Sequence, residues 1–183
     1  MGVVYRALEP ELRRVVALKV LSGRSPAWDR YRELFRHESQ RGAALEHPNV
    51  LPVYRSDEVD GVRFIAMRYV DGADLHRTIR RHGRLPLGAV TRIASEVADA
   101  LDAAHAKGLV HRDVKPGNIL ISDPGGDERV YLSDFGLAAP ASELARGGHQ
   151  GGTPIYSAPE QLRGGAVGPA ADIYALGCTV YEA

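Results

Sequence analysis

Residue 70 divides the chain into two kinds of sequence, and that division constrains the fold more than any other feature. Before it, apolar and β-branched runs recur at Val3-Val4-Tyr5, Val15 to Val20, Val53 to Val59 and Val62 to Val70. Runs of this kind predict strands. The polar turn around Glu9-Pro10-Glu11 joins the first two, and Asp60-Gly61, a dipeptide that tolerates positive φ, joins the second two. After residue 70 the apolar spacing becomes helical. Asp74 to Arg81 predicts a short helix stopped by Gly83, and Leu87 to Lys107 a longer one with Val90, Ile93, Ala94, Val97, Leu101 and Ala104 on one stripe. Strands segregated from helices imply an α+β chain in two lobes, a small antiparallel β lobe at 1–70 and a larger, mainly helical lobe at 71–183.

Between the hairpins, about Ala27 to Leu45 reads as a helix with Tyr31, Leu34, Phe35 and Leu45 at near-helical spacing. Glu38 falls on that stripe. A carboxylate turned toward a core needs a cation, so Glu38 is either half of a buried pair or a rim residue on the helix edge. Farther on, Ile119-Leu120-Ile121 and Val130-Tyr131-Leu132 predict short strands about the turn Asp123-Pro124-Gly125-Gly126, and a long loop runs on to Pro159. Loops of that length in compact domains are usually functional.

Bulk properties remove several function classes. The 183 residues, 44% hydrophobic, suit one folded unit. Lys plus Arg and Asp plus Glu balance at 23 each, so net charge argues against a nucleic-acid partner or an anionic membrane surface. Cys178 is the single cysteine, which excludes an intrachain disulfide and fits a reducing, cytoplasmic compartment. No apolar run reaches the ~20 residues a membrane-spanning helix requires. The seven histidines show no zinc-binding spacing.

The most informative segment is His111-Arg112-Asp113-Val114-Lys115-Pro116-Gly117-Asn118, which sets Asp, Lys and Asn at fixed offsets between a helix and a strand. Asp134-Phe135-Gly136 follows, then Gly152-Thr153-Pro154, Ala158-Pro159-Glu160, Asp172 and Gly177; upstream stand Val16-Ala17-Leu18-Lys19 and Glu38. This ordered set resembles the catalytic domain of eukaryotic-type (Hanks-type) serine/threonine protein kinases, in its bacterial branch. The resemblance spans essentially the whole chain and implies ATP as phosphoryl donor, Mg2+ or as a substitute Mn2+, and a protein substrate.

The resemblance also implies roles. Asp113 accepts or orients the substrate hydroxyl proton, Lys115 sits against the γ-phosphate, and Asn118 with Asp134 offers oxygens to the metal. Lys19, fixed by Glu38, reaches the α- and β-phosphates. Val4, Ala17 and Leu120 line an adenine slot, with Met67 behind it and Arg68-Tyr69-Val70 as the connector between lobes. Phe135, Gly136, Ser142, Thr153 and Glu160 belong to the activation segment; Ser142 is a candidate phosphosite, and Arg112 a candidate partner for a phosphate there. His111 is expected to pack beneath Asp134-Phe135-Gly136, and Asp172 to anchor the helix under the catalytic loop. Lys115-Pro116 is the serine/threonine form of that loop.

Two departures stand out. Gly2 and Val4 resemble the tail of a Gly-rich phosphate loop, so the chain reads as a catalytic domain lacking its first strand and its last helices, and is expected to be weakly active or inactive by itself. Gly42 lies where many kinases carry a larger side chain. A nucleotide-binding pseudokinase or scaffold is the alternative, although pseudokinases usually lose the lysine, the aspartate or the metal motif, all present here. A small-molecule phosphotransferase of related fold lacks the Gly152 to Glu160 segment. The parent protein is expected in the cytoplasm, or anchored to a membrane with its kinase domain on the cytoplasmic side.

Overall fold

The structure, a computed structural model, describes residues 2–21, 45–122, 128–135 and 154–183. Two hairpins form its first sheet. Strand β1 (Gly2–Glu9) turns into β2 (Arg14–Leu21), and β3 (Val53–Val59) turns into β4 (Val62–Arg68), in the antiparallel order β1-β2-β4-β3. Asp60 and Gly61 take φ of 51° and 75°, as a two-residue hairpin turn requires. β1 runs past the apolar Val3-Val4-Tyr5 because Leu8 and Glu9 still pair with Val15 and Arg14. β4 ends at Arg68, two residues before the apolar run does.

The register sorts the side chains. Residues directly opposite in an antiparallel pair share a face. Val4 stands opposite Lys19, Lys19 opposite Ile65, and Ala17 opposite Met67, so these five residues share one face of the sheet.

A second sheet, β5 (Gly72–Asp74), β6 (Ile119–Ser122) and β7 (Arg129–Leu132), begins the larger lobe. The three-residue β5 carries no apolar alternation and is not legible in the sequence. Gly72 is required there: at φ 159°, a Cβ would lie 2.0 Å from the Ile121 carbonyl oxygen. Helix α1 (Leu75–His82) starts where the Asp74 carboxylate accepts from Arg77 N–H at 2.8 Å, and ends at Gly83 with φ 72°.

Helix α2 (Leu87–His105) buries Ile93, Val97, Ala100, Leu101 and Ala104, while Val90 and Ala94 of the expected stripe stay partly exposed. After the short α3 (Pro159–Leu162), helix α4 (Pro169–Glu182) packs Ala175 and Leu176 into the core formed by α2, Ile119, Val130 and Leu132. Fully burying a side chain such as Leu101 contributes about 1.5–3 kcal/mol. No described helix is long and apolar enough to cross a membrane. The expected helix from Ala27 lies outside the described residues apart from Leu45, which packs on the large-lobe core.

The lobes are stitched together before β3. Leu51 N–H donates to the Leu132 carbonyl at 2.9 Å and Leu132 N–H to the Asn49 carbonyl at 2.7 Å. The Asn49 amide adds bonds to Glu96 of α2 at 2.7 Å and to the Val130 carbonyl at 3.0 Å.

Candidate active site

The loop between α2 and the 3-10 turn Pro116–Asn118 holds an unfavourable backbone. Arg112 has φ 68°, a left-handed conformation that a non-glycine residue keeps only when its surroundings over-determine it. Asp172, 0% exposed at the start of α4, does much of that work. Its carboxylate accepts from His111 N–H at 2.8 Å, Arg112 N–H at 2.7 Å and His105 Nε2 at 2.8 Å. From α3, the Gln161 amide donates to the Arg112 carbonyl at 3.0 Å. The sequence reading reached Asp172 but not His105 or Gln161, whose partners lie 67 and 49 residues away.

Around Asp113 the polar side chains converge. Lys115 Nζ lies 2.9 and 2.7 Å from the two Asp113 carboxylate oxygens. Asn118 Nδ2 donates to the Asp113 carbonyl at 2.8 Å and to its carboxylate at 2.9 Å. The Asn118 carbonyl in turn accepts from Ser133 N–H at 2.9 Å and Ser133 Oγ at 3.0 Å, which brings in the next residue, Asp134. Asp134, also left-handed at φ 65°, pairs with Lys19 Nζ at 2.7 Å. One polar chain, hydrogen-bonded except for the covalent step from Ser133 to Asp134, therefore joins Lys19 from the small lobe to Asp134, Asn118, Asp113 and Lys115 from the large one. Lys19 thus meets Asp134; Glu38, its expected partner, lies outside the described residues.

Beneath this chain sits His111, fully buried. Its Nε2 bonds the Ser133 carbonyl at 2.8 Å, and its Nδ1 accepts from Asp113 N–H at 3.2 Å. A carbonyl only accepts and an N–H only donates, so the ring is neutral with its proton on Nε2. Burial pushes the imidazole below its ordinary value, against the raising pull of the Ser133 carbonyl and of Asp172, Asp113 and Asp134. Phe135 meets the ring edge-on, centroids 4.6 Å apart.

Above the chain lies an apolar patch. Leu51, Met67 and Tyr131 are buried together, with Ala17, Val53, Val70 and Leu120 packed against them. Four of the expected adenine-slot residues are thus brought together. Val4 shares their sheet face but is 57% exposed, and Tyr69 turns to the Arg6 guanidinium, 5.3 Å from its ring centroid. Glu160 stands in α3 with no ion pair among the described residues. Gly136, Ser142 and Thr153 lie outside those residues.

The donor set fits a hard cation shared with phosphate. Among the described residues no group of three or more His, Cys, Asp or Glu side chains is arranged to hold a metal. Asn118 uses Nδ2 for its bonds to Asp113, which leaves its side-chain oxygen to serve as a ligand. One carboxylate and one amide oxygen suit Mg2+, which keeps the rest of its octahedron for water and phosphate oxygens.

The chain matches the family described as protein kinase domain over residues 1–183. It is similar to serine/threonine-protein kinase PknJ of Mycobacterium bovis, 41% identical over 185 residues that cover 100% of this chain and 31% of that protein. It is also similar to PknF of Mycobacterium tuberculosis, at 43% over 188 residues, covering 100% and 40%. The chain thus spans well under half the length of these curated relatives. Among solved structures, the Mycobacterium tuberculosis PknI kinase domain superposes with a TM-score of 0.73 at 42% identity, covering 98% of this chain and 67% of that one. Rad53 1-466 in complex with AMP-PNP superposes at 0.75 with 28% identity, covering 98% and 43%. Likeness of this extent, on an arrangement that joins a strand lysine to two aspartates and an asparagine, makes the chain a member of the protein kinase family, in its eukaryotic-type bacterial serine/threonine branch.

Proposed function

We propose that the protein transfers the γ-phosphoryl group of ATP to serine or threonine hydroxyls of a protein substrate. The observation that carries this reading is the connected polar chain that runs from Lys19 to Asp134 and, through the adjoining Ser133, to Asn118, Asp113 and Lys115. Phosphoryl transfer needs little covalent help; it needs an aligned nucleophile and neutralised phosphate charge, and this chain supplies both kinds of group.

The adenine ring enters between Ala17 and Leu120, against Met67 and Val70, with Val4 closing over it from β1. Lys19 leaves the Asp134 carboxylate for the α- and β-phosphates, and Glu38 steadies it. Asp134 and Asn118 would hold Mg2+, which would supply charge neutralisation for the phosphates. Lys115 already touches both Asp113 oxygens, so its ammonium lies where the γ-phosphate and the incoming hydroxyl meet. The hydroxyl oxygen bonds to the γ-phosphorus, the bond to the β–γ bridging oxygen breaks, ADP departs, and the hydroxyl proton passes to Asp113. Neutral His111 holds the Asp113 N–H and so aims the carboxylate. Thr153 and Glu160 shape the segment that receives the substrate, and Ser142 is a candidate phosphosite within it. The reaction depends on cytoplasmic ATP, which places the catalytic lobes in the cytoplasm.

The test is ATP-dependent phosphorylation of a generic basic protein, followed by identification of the modified residue. Asp113→Asn is expected to lower transfer about 10²–10⁴-fold. Undiminished transfer in that variant, or phosphate found on tyrosine alone, would overturn the reading.

A further inference from the structure

We infer that Gln161 is a positioning residue for Asp113: its carboxamide clasps the peptide unit before the aspartate and ties it to the helix at the end of the substrate-receiving segment. The inference rests on the kinase reading for its functional consequence, and on geometry for the clasp itself.

Gln161 makes two bonds with one amide orientation. Its Nε2 donates to the Arg112 carbonyl at 3.0 Å, and its Oε1 accepts from Ala158 N–H at 3.0 Å. The Arg112–Asp113 peptide unit is therefore held on both sides, by Gln161 at its carbonyl and by His111 Nδ1 at its N–H. Within the loop, Asp172 reaches only the preceding N–H groups, of His111 and Arg112. Among the described residues, nothing else bonds the Arg112 carbonyl. Since Arg112 is left-handed at φ 68°, the peptide that follows it is the one with most to gain by rotating away, and its rotation would swing the Asp113 side chain.

The chemistry of the clasp selects an amide. Gln161→Glu keeps an acceptor for Ala158 N–H but turns the donor into a second acceptor against the Arg112 carbonyl. Gln161→Ala removes both bonds without adding charge. Gln161 is only partly buried, in a four-residue helix, and contributes nothing to the apolar core.

The experiment measures kcat and KM for both variants in the full-length protein, with Mg-ATP and a basic protein substrate, beside ATP hydrolysis without that substrate. The expected result is a fall in kcat of about 10- to 100-fold in both variants, since misplacing a catalytic group by about 1 Å can lose 10²-fold. KM for Mg-ATP stays within about twofold, and hydrolysis falls in parallel with transfer. A kcat within about twofold of wild type overturns the inference. So does a rise in the KM for the protein substrate alone with hydrolysis untouched, which would put Gln161 in substrate docking. Amide hydrogen exchange keeps the clasp testable if wild type transfers no phosphate, an outcome that sinks the kinase reading alone. Residues 112–118 should exchange about tenfold faster in Gln161→Glu while α2 is unchanged; equal exchange overturns the clasp.

Discussion

In the first hairpin Val3, Val4, Tyr5 and Leu8 are each more than half exposed, whereas in the loop from His111 to Asn118 both His111 and Val114 are wholly buried. The hairpin is held by its own ladder, eight consecutive pairs from Gly2 opposite Leu21 to Glu9 opposite Arg14. The loop has no ladder. Its backbone is fixed by side chains: Asp172 of α4 and Gln161 of α3 from elsewhere in the chain, and the loop's own His111 and Asn118. A ladder tolerates changes of side chain because the bonds belong to the backbone, while a loop fixed by side chains does not. The small lobe therefore brings Lys19 on a generic strand, and the large lobe brings Asp113 on a bespoke backbone.

Substitutions can break that contrast, and the largest effect is expected at its root. Asp172→Ala strands the N–H groups of His111 and Arg112, at about 1–3 kcal/mol each, so urea unfolding should report a loss of about 2–6 kcal/mol. A loss below about 1 kcal/mol would mean the loop holds itself. Asp113→Asn should divide function from stability: transfer falls about 10²–10⁴-fold while the unfolding midpoint barely moves. An equal collapse of stability would make Asp113 a structural residue.

Acidification acts through His111, whose folded-state pKa lies below the ordinary 6.5 because the ring is buried. Below about pH 6.5 the unfolded chain binds the proton first, so stability falls with falling pH by up to about 1.4 kcal/mol per unit until the folded-state value is reached. His111→Gln should flatten part of that slope in denaturation series run from about pH 7 to about pH 5. Smallest of all, Leu8→Thr on the hairpin should change stability by no more than about 0.5 kcal/mol. A larger change there would show that the first hairpin, too, depends on its side chains.

How much of this was legible follows from the same contrast. The hairpins were readable because strand runs and the Asp60-Gly61 turn are local, and α1 because Asp74 and Gly83 mark its ends. The Asp113, Asn118 and Asp134 spacing was readable as a motif. The groups that hold the motif in place were not. His105 is one more residue at a helix end, Asn49 one more loop residue, and Gln161 one more polar residue after a proline; each acquires meaning only through a partner at least 47 residues away. Periodicity has no access to such distances. The three-residue β5 escaped for a related reason, since Gly72-Ala73-Asp74 pairs only because β6 comes alongside it.

The bridge at Val50 and Leu132 tethers the two lobes backbone to backbone. Any rocking of the β1-β2-β4-β3 sheet against the larger lobe would be smallest beside this tether, so Leu51 and its neighbour Met67 would sit at the axle while the β1–β2 hairpin swept the widest arc. A nucleotide lodged there would keep its base nearly still and feel its phosphates covered and uncovered. Entry and exit of a ligand would then need no rebuilding of the apolar floor, only a swing of the arm above it.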